Sequence, residues 1–487
     1  MDFCMSMAAE VILEEMKKES GFKNVVLSPL SINMMINMVA SGSAGKTLEE
    51  FLKFLGSKDV KDLNDKSSLM MSLVATSASD SNSESSSSDS SARNDNTSNP
   101  KVVVYPPMLD CGGYDQYYGQ NPSGSSYCSS DPPIFNYGRY RKGPSRTSYY
   151  GRYGAQPQGR SRPYDREIDL LPNKGVRKAK GKAPTFSLAN SLWVDHHFSL
   201  IPAFQETTKT IYNAHVENAD FINQADDLKN EVNSWVNKET RGLIQGILPP
   251  GYKLTPPLCL VNALYFKGSW EKTFDASKSR HDKFHLHNGE TIDVPFMISR
   301  DKSYSYGSFE DFKVVKLRYQ KGQDVEKLFS MYIFLPHKRN GLEDLMEKFN
   351  RDTTILQLEH FHHLPQEKIS NLWIPKLKFM FDFDVREIME NKGLTTPFRM
   401  GADFTNMVDS EDSAGVFIGS ILHKACIEVN EEGTEAAAVT FCNIVTGCSM
   451  YMPPPTNFVA DHPFMFMIVE EISQLVVFTG VVLNPLL

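Results

Sequence analysis

Residues 430–450 read NEEGTEAAAVTFCNIVTGCSM. Acidic residues lead into Gly433-Thr434, three alanines follow, then β-branched residues, and the stretch closes on Gly447-Cys448-Ser449. A surface linker or an Ala-rich helix would account for the alanines, but Gly433 and the later β-branched residues weaken a helix. As a strand, the stretch divides by parity, because successive side chains point to opposite faces. Thr434, Ala436, Ala438, Thr440, Cys442, Ile444 and Thr446 share one face, which is small and buryable along its length. Glu435, Ala437, Val439, Phe441, Asn443, Val445 and Gly447 share the other, which begins with a charge that water can solvate. Such a strand can enter an existing sheet without a steric clash or an unpaired buried charge.

Composition sets wide limits around this stretch. The 487 residues are 41% hydrophobic and 23% charged, ordinary for a globular protein and enough for one large domain or two to three smaller ones. A net charge of −8 argues against nucleic-acid binding by the chain as a whole. No run approaches the roughly 18 apolar residues of a membrane helix, so no membrane partner is expected. The opening MDFCMSMAAEVILEEMKKES lacks a basic leader, and Glu10, Glu14 and Glu15 interrupt any signal-peptide core. It reads as an amphipathic helix with Ala8, Val11, Ile12 and Met16 on one face. Seven cysteines, odd in number and without CxxC spacing, fit a reducing compartment, cytoplasm or nucleus, better than a disulfide framework or a zinc site.

Three segments follow from composition: 1–79 ordered, 80–182 low-complexity, and 183–487 ordered. In the first, NVVLSPLSI (24–32) is a short strand, and helices are expected across INMMINMVAS, TLEEFLKFLG and LNDKSSLMMSLVAT. The second opens with SDSNSESSSSDSS, a polar tract that cannot bury a core. Eleven of the nineteen tyrosines fall between 105 and 164, and 138–182 carries thirteen Lys/Arg against three acidic residues. Basic residues among aromatics can bind single-stranded nucleic acid. No folded RNA-binding pattern accompanies them, so a disordered insertion is expected. In the third segment, TFSLANSLWVD (185–195), LCLVNALYFKGSW (258–270), FSMYIFLP (329–336), NLWIPKLKF (371–379) and LHKACIEVN (422–430) read as strands. FMFMIVEE and QLVVFTGVV form a buried hairpin, and 225–248 is a helix stopped by Pro249-Pro250-Gly251. Strands with helices placed mainly early make the fold α+β.

Catalytic machinery is missing from the pattern. There is no GxSxG elbow, HExxH, Walker loop or GxGxxG after a strand. His285-x-His287 and His360-Phe361-His362-His363 lack cysteine or acidic partners at a diagnostic spacing and read as surface histidines, so no metal and no cofactor are expected. Cys442 or Cys448 with His423 or His462 lacks a helix N-terminus to activate a thiolate. No turnover is expected.

The chain resembles the serpin family, and most of all its plant branch. The resemblance is carried by EVNEEGTEAAAVT (428–440), LVNALYFKGSW (260–270), NVVLSPLSI (24–32), VNSWVNKETRGLIQGILPP (232–250), VPFM (294–297), FSMYIFLP, IPKLKF (374–379) and FVADHPFMFMIVEE with VVFTGVVLNPL (458–486), in family order. It implies three β-sheets, eight or nine helices and an exposed reactive-centre loop at 431–457. By position, Glu431, Glu432, Gly433 and Thr434 match the hinge of that loop, and Ala436, Ala437 and Ala438 the small strip after it. Counting from the hinge places the scissile bond at Gly447–Cys448, flanked by Val445, Thr446 and Ser449. Ser28, Ser31, Asn262 and His423 match the shutter beneath the main sheet, and Trp270 the breach where the loop first enters.

The implied function is irreversible, suicide-substrate inhibition of serine or papain-like cysteine proteases by a monomer. The alternative is a non-inhibitory serpin-fold protein of storage or interaction, with nucleic acid bound through 138–182. Some plant relatives also reach the extracellular space.

Overall fold

The computed structural model describes residues 2–18, 23–74, 184–322, 327–352, 359–409, 415–431 and 455–487. Helices dominate the start: α1 (Asp2–Lys17), then β1 (Val25–Leu27), α2 (Pro29–Ser41), α3 (Gly45–Leu55) and α4 (Val60–Val74). Next come β2 (Thr185–Asp195), α5 (Pro202–Thr210), β3 (Ala214–Ala219), α6 (Ala225–Glu239) and β4 (Leu258–Lys267). Strands β5 (Arg280–His285), β6 (Thr291–Ser308), β7 (Phe312–Arg318) and β8 (Phe329–Pro336) lead to helices α7 (Leu342–Arg351) and α8 (Glu359–His362). The rest are β9 (Gln366–Pro375), β10 (Leu377–Asp384), α9 (Arg386–Asn391), β11 (Ile418–Val429), β12 (Thr456–Val459), β13 (Phe464–Glu470) and β14 (Leu475–Val482). Residues 80–182, expected as a disordered insertion, lie outside the described residues. No described helix is long and apolar enough to cross a membrane.

A five-stranded sheet runs β10-β11-β4-β2-β3, and a second hydrogen-bonded network runs β1-β14-β13-β8-β7-β6-β9-β12 with β5 on β6. The three sheets of the expected fold form two networks because β6 is long enough to serve twice. Its Thr291–Ser305 stretch pairs with β5 and β9, and its Ser305–Ser308 end pairs with β7. The hairpin of β13 and β14 is buried, as expected for an apolar run covered on both faces.

The five-stranded sheet is also covered on both faces, and β4 shows how. Leu258, Leu260, Leu264 and Phe266 point into the main core with α2 and the second network. Cys259, Val261, Ala263 and Tyr265 point the other way, into a cluster with Leu228, Val232 and Val236 of α6. The alternation of strand side chains thus makes a continuous apolar run necessary.

Two boundaries differ from the sequence expectation. The helix expected over 225–248 ends at Glu239, before Pro249. Arg241 and Gly242 take φ of 54° and 81°, the left-handed region that ends a helix, and the Thr240 hydroxyl donates to the Val236 carbonyl at 2.7 Å. The single strand expected over 371–379 is two strands in different sheets. The break falls at Pro375-Lys376, where Pro375 has no N–H to continue the ladder.

Candidate functional site

The centre of the five-stranded sheet is a parallel pair. Strands β4 and β11 run side by side, with Leu258 next to Ile418 at one end and Phe266 next to Ile427 at the other. Just beyond β11 lies Glu431, the last described residue before 455. A strand returning from that point would run antiparallel to both β4 and β11.

Halfway along the seam a polar cluster lies under the sheet. The turn SPLS (28–31) builds it locally: the Ser28 hydroxyl accepts from the Ser31 N–H at 3.1 Å and caps α2, with Pro29 in the first turn. This leaves the Ser28 N–H free to donate to His423 Nε2 at 3.2 Å. The other ring nitrogen, Nδ1, therefore carries the proton and donates to Asn262 Oδ1 at 2.5 Å, across the seam. Ser31 Oγ donates to the same oxygen at 2.9 Å, and Asn262 Nδ2 donates to Asn190 Oδ1 of β2 at 2.5 Å. All five residues are buried. Both ring nitrogens are used by a neutral imidazole, and burial pushes His423 down to about 3. A proton there would lose the Ser28 contact and place a charge away from water.

The end of the seam next to residue 431 is held by different chemistry. Trp270, just past β4, stacks on Tyr319 with ring centroids 4.5 Å apart, and its Nε1 donates to the Asn430 carbonyl at 2.8 Å. The Phe274 N–H donates to the Glu431 carbonyl at 3.0 Å. The Glu431 carboxylate accepts from Ser279 Oγ at 2.6 Å and pairs with Lys376 Nζ at 2.5 Å. Burial alone would raise this carboxyl, but the hydrogen bonds from Lys376 and Ser279 outweigh it and hold the group below its usual range.

On the outer face the seam shares an apolar cluster with α6. Leu422 and Cys426 of β11 share a cluster with Val261 of β4 and the α6 side chains, and Lys424 Nζ donates to the Gly246 carbonyl at 2.9 Å. Cys259 and Cys426 are both free thiols; burial pushes Cys426 up to about 11 and Cys259 further, so neither is a nucleophile. Glycine is required where β11 begins. A Cβ on Gly419 would lie 2.0 Å from the Thr255 carbonyl oxygen, where β11 slips register between Ile418 and Ser420.

The structure thus brings Ser28, Ser31, Asn262 and His423 into one cluster and puts Trp270 against the backbone beside Glu431. Glu432, Gly433, Thr434, Ala436, Ala437, Ala438, Val445, Thr446, Gly447, Cys448 and Ser449 lie outside the described residues. Sequence reasoning missed Asn190, Ser279, Tyr319 and Lys376. Lys376 stood in the quoted IPKLKF, but a strand read straight through 371–379 hid the bend that aims it at Glu431.

The serpin (serine protease inhibitor) family model matches residues 2–97 and 167–485. The chain belongs to the serpin family. Serpin-ZXA of Oryza sativa subsp. japonica is 42% identical over 307 residues, covering 62% of this chain and 75% of the relative. Serpin-ZX of Arabidopsis thaliana is 41% identical over 307 residues, covering 62% and 77%. The solved structure of Arabidopsis AtSerpin1 in its native stressed conformation superposes with a TM-score of 0.70 at 30% identity, covering 100% of this chain and 97% of that one. Serpin family and fold together support protease inhibition in general terms, and the likeness is to plant members.

Proposed function

We propose that this serpin is an irreversible suicide-substrate inhibitor of serine or papain-like cysteine proteases. The observation that carries the proposal is the parallel β4–β11 pair with Glu431 at the end of β11. Serpin loop insertion is a known case of strand addition to a sheet. The target's Ser Oγ or Cys Sγ attacks the Gly447 carbonyl, the amine of Cys448 leaves, and an acyl-enzyme forms. Residues 433–447 then enter between β4 and β11. One parallel ladder is exchanged for two antiparallel ones, and each added hydrogen bond nets about 1 kcal/mol. The attached protease is carried along the sheet and its oxyanion hole distorted, so deacylation loses its main stabilisation. The hinge suits this cycle: it has no proline, and its small face has no charge and no bulky residue before Ile444. Gly447 at the scissile position fits a protease with a small primary pocket, or one that reads Val445 and Thr446 instead.

The experiment is incubation of the full chain with a panel of such proteases, followed by a denaturing gel. An SDS-stable protease adduct is expected with the wild type, and cleavage without adduct with Thr434→Arg, which puts a charge on the face that insertion would bury. An adduct that persists in Thr434→Arg overturns the proposal.

The unmatched stretch 98–166 favours a second reading, a non-inhibitory serpin-fold protein whose basic, tyrosine-rich 138–182 binds RNA. Cleavage by every protease without adduct, together with RNA binding lost on deletion of 80–182, would establish it.

A further inference from the structure

At the end of the five-stranded sheet opposite Glu431, β2 closes on Asp195-His196-His197. Backbone bonds fix this turn: Asp195 N–H to the Pro257 carbonyl at 2.9 Å, His196 N–H to Ala219 at 3.0 Å, and Phe198 N–H to Asp195 at 3.0 Å. The Asp195 side chain is only 8% exposed, while the two imidazoles stand in solvent at 44% and 68%. Their rings lie 4.0 Å apart, and both Nδ1 atoms face one carboxylate oxygen, His197 at 2.6 Å and His196 at 3.7 Å. Oδ1 also accepts from the His197 N–H at 3.0 Å, which fixes the carboxylate's direction. Among the described residues, no other three His, Cys, Asp or Glu ligand atoms converge in this way. Beside the cluster opens a pocket of about 310 Å³, lined by Asp195, His197, Phe198, Pro256, Pro257 and Phe417.

We propose that Asp195, His196 and His197 bind one borderline transition-metal dication of the zinc, cobalt(II) or nickel(II) class, with solvent in the remaining positions. Two imidazole nitrogens and a carboxylate oxygen suit these ions and not magnesium or calcium, which take mainly oxygen ligands. Zinc bonds of about 2.0–2.2 Å in a tetrahedral site place ligand atoms roughly 3.3 Å apart. The 2.6 and 3.7 Å separations bracket that spacing, and all three ligand atoms lie within 4.8 Å of one another, so rotation of the two exposed rings can bring them around one ion. The pocket leaves the open positions accessible to water or to a ligand arriving at this pole. The sequence expectation of no metal draws on the cysteine spacing, His285-x-His287 and His360–His363; Asp195-His196-His197 escapes it because three ligands adjacent in sequence match no spaced motif.

Zinc titrated into the full chain by calorimetry, with cobalt(II) absorption as a second readout, tests the site. One component of about one ion per chain is expected in the wild type. Loss of even an outer partner of a metal site costs about 10–100-fold in affinity. His196→Gln and His197→Gln should each weaken this component by at least about tenfold, while His360→Gln/His362→Gln/His363→Gln leaves it intact. Because Asp195 is buried, the two exposed histidine variants carry the test, each melted without metal to show that it folds. A zinc component unchanged in His196→Gln and His197→Gln, or no one-to-one component at millimolar zinc, overturns the proposal.

Discussion

At the middle of the β4–β11 seam the chain buries a neutral network; at the end beside Glu431 it uses a charge pair nearer to solvent. His423, Asn262, Ser31, Ser28 and Asn190 exchange uncharged hydrogen bonds out of reach of water. Glu431 and Lys376 meet as ions, with the lysine 36% exposed. A buried network is costly to break one partner at a time, because each orphaned group keeps its desolvation penalty. A partly exposed pair is screened and can be replaced by water. The contrast predicts an order of events: the seam opens more easily at Glu431, where a returning strand would enter, than at His423, which such a strand must pass.

The comparison breaks most visibly at Asn262. Replacing it with Leu takes the hydrogen-bond partner from the His423 Nδ1–H and the Asn190 side-chain carbonyl, and leaves the Ser31 hydroxyl only the Ser28 carbonyl at 3.3 Å. A loss of about 3 kcal/mol or more is expected in urea unfolding. A loss of under about 1 kcal/mol would show that the cluster does not hold the seam.

Acid should separate the two regions. His423 has a folded value near 3, below the ordinary 6.5, so the unfolded chain binds the extra proton between these limits. Its contribution is complete above 6.5 and is lost as pH falls towards 3. Relative to His423→Gln, the wild type should lose about 1.4 kcal/mol between pH 8 and pH 5.5. Glu431 is also lowered, from 4.5, so its pair persists above 4.5 and is lost only below it. Parallel pH curves for wild type and His423→Gln would contradict the buried neutral imidazole.

The smallest effect belongs to Glu431→Gln. About 1 kcal/mol is expected at low ionic strength, shrinking in molar salt. The penalty of Asn262→Leu should not respond to salt. Equal salt dependence of the two variants would erase the distinction between the regions.

Periodicity made the long apolar strands legible. β2 and β8 match the expected bounds, and β4 fills most of its expected run, because these strands are buried on both faces and confine charge to their last residues, Asp195 and Lys267. Strands β3 (AHVENA) and β5 (RHDKFH) went unread, since an edge strand with polar residues on both faces carries no alternation. Arg241-Gly242 inside an otherwise helical pattern hid the end of α6. The polar cluster is a harder case. Ser28 and His423 lie 395 residues apart and meet only through the sheet register, so family resemblance alone could bring them together. Asn190 joins them because β2 places it directly opposite Asn262, a pairing no local pattern records.

The most direct test of the central claim is the melting temperature of the chain after a protease has cut it between Glu431 and β12. If residues 433–447 enter between β4 and β11, the cleaved form gains a second ladder and should melt on the order of 20 °C or more above the intact form. An unchanged or lower melting temperature after cleavage would contradict insertion at that seam.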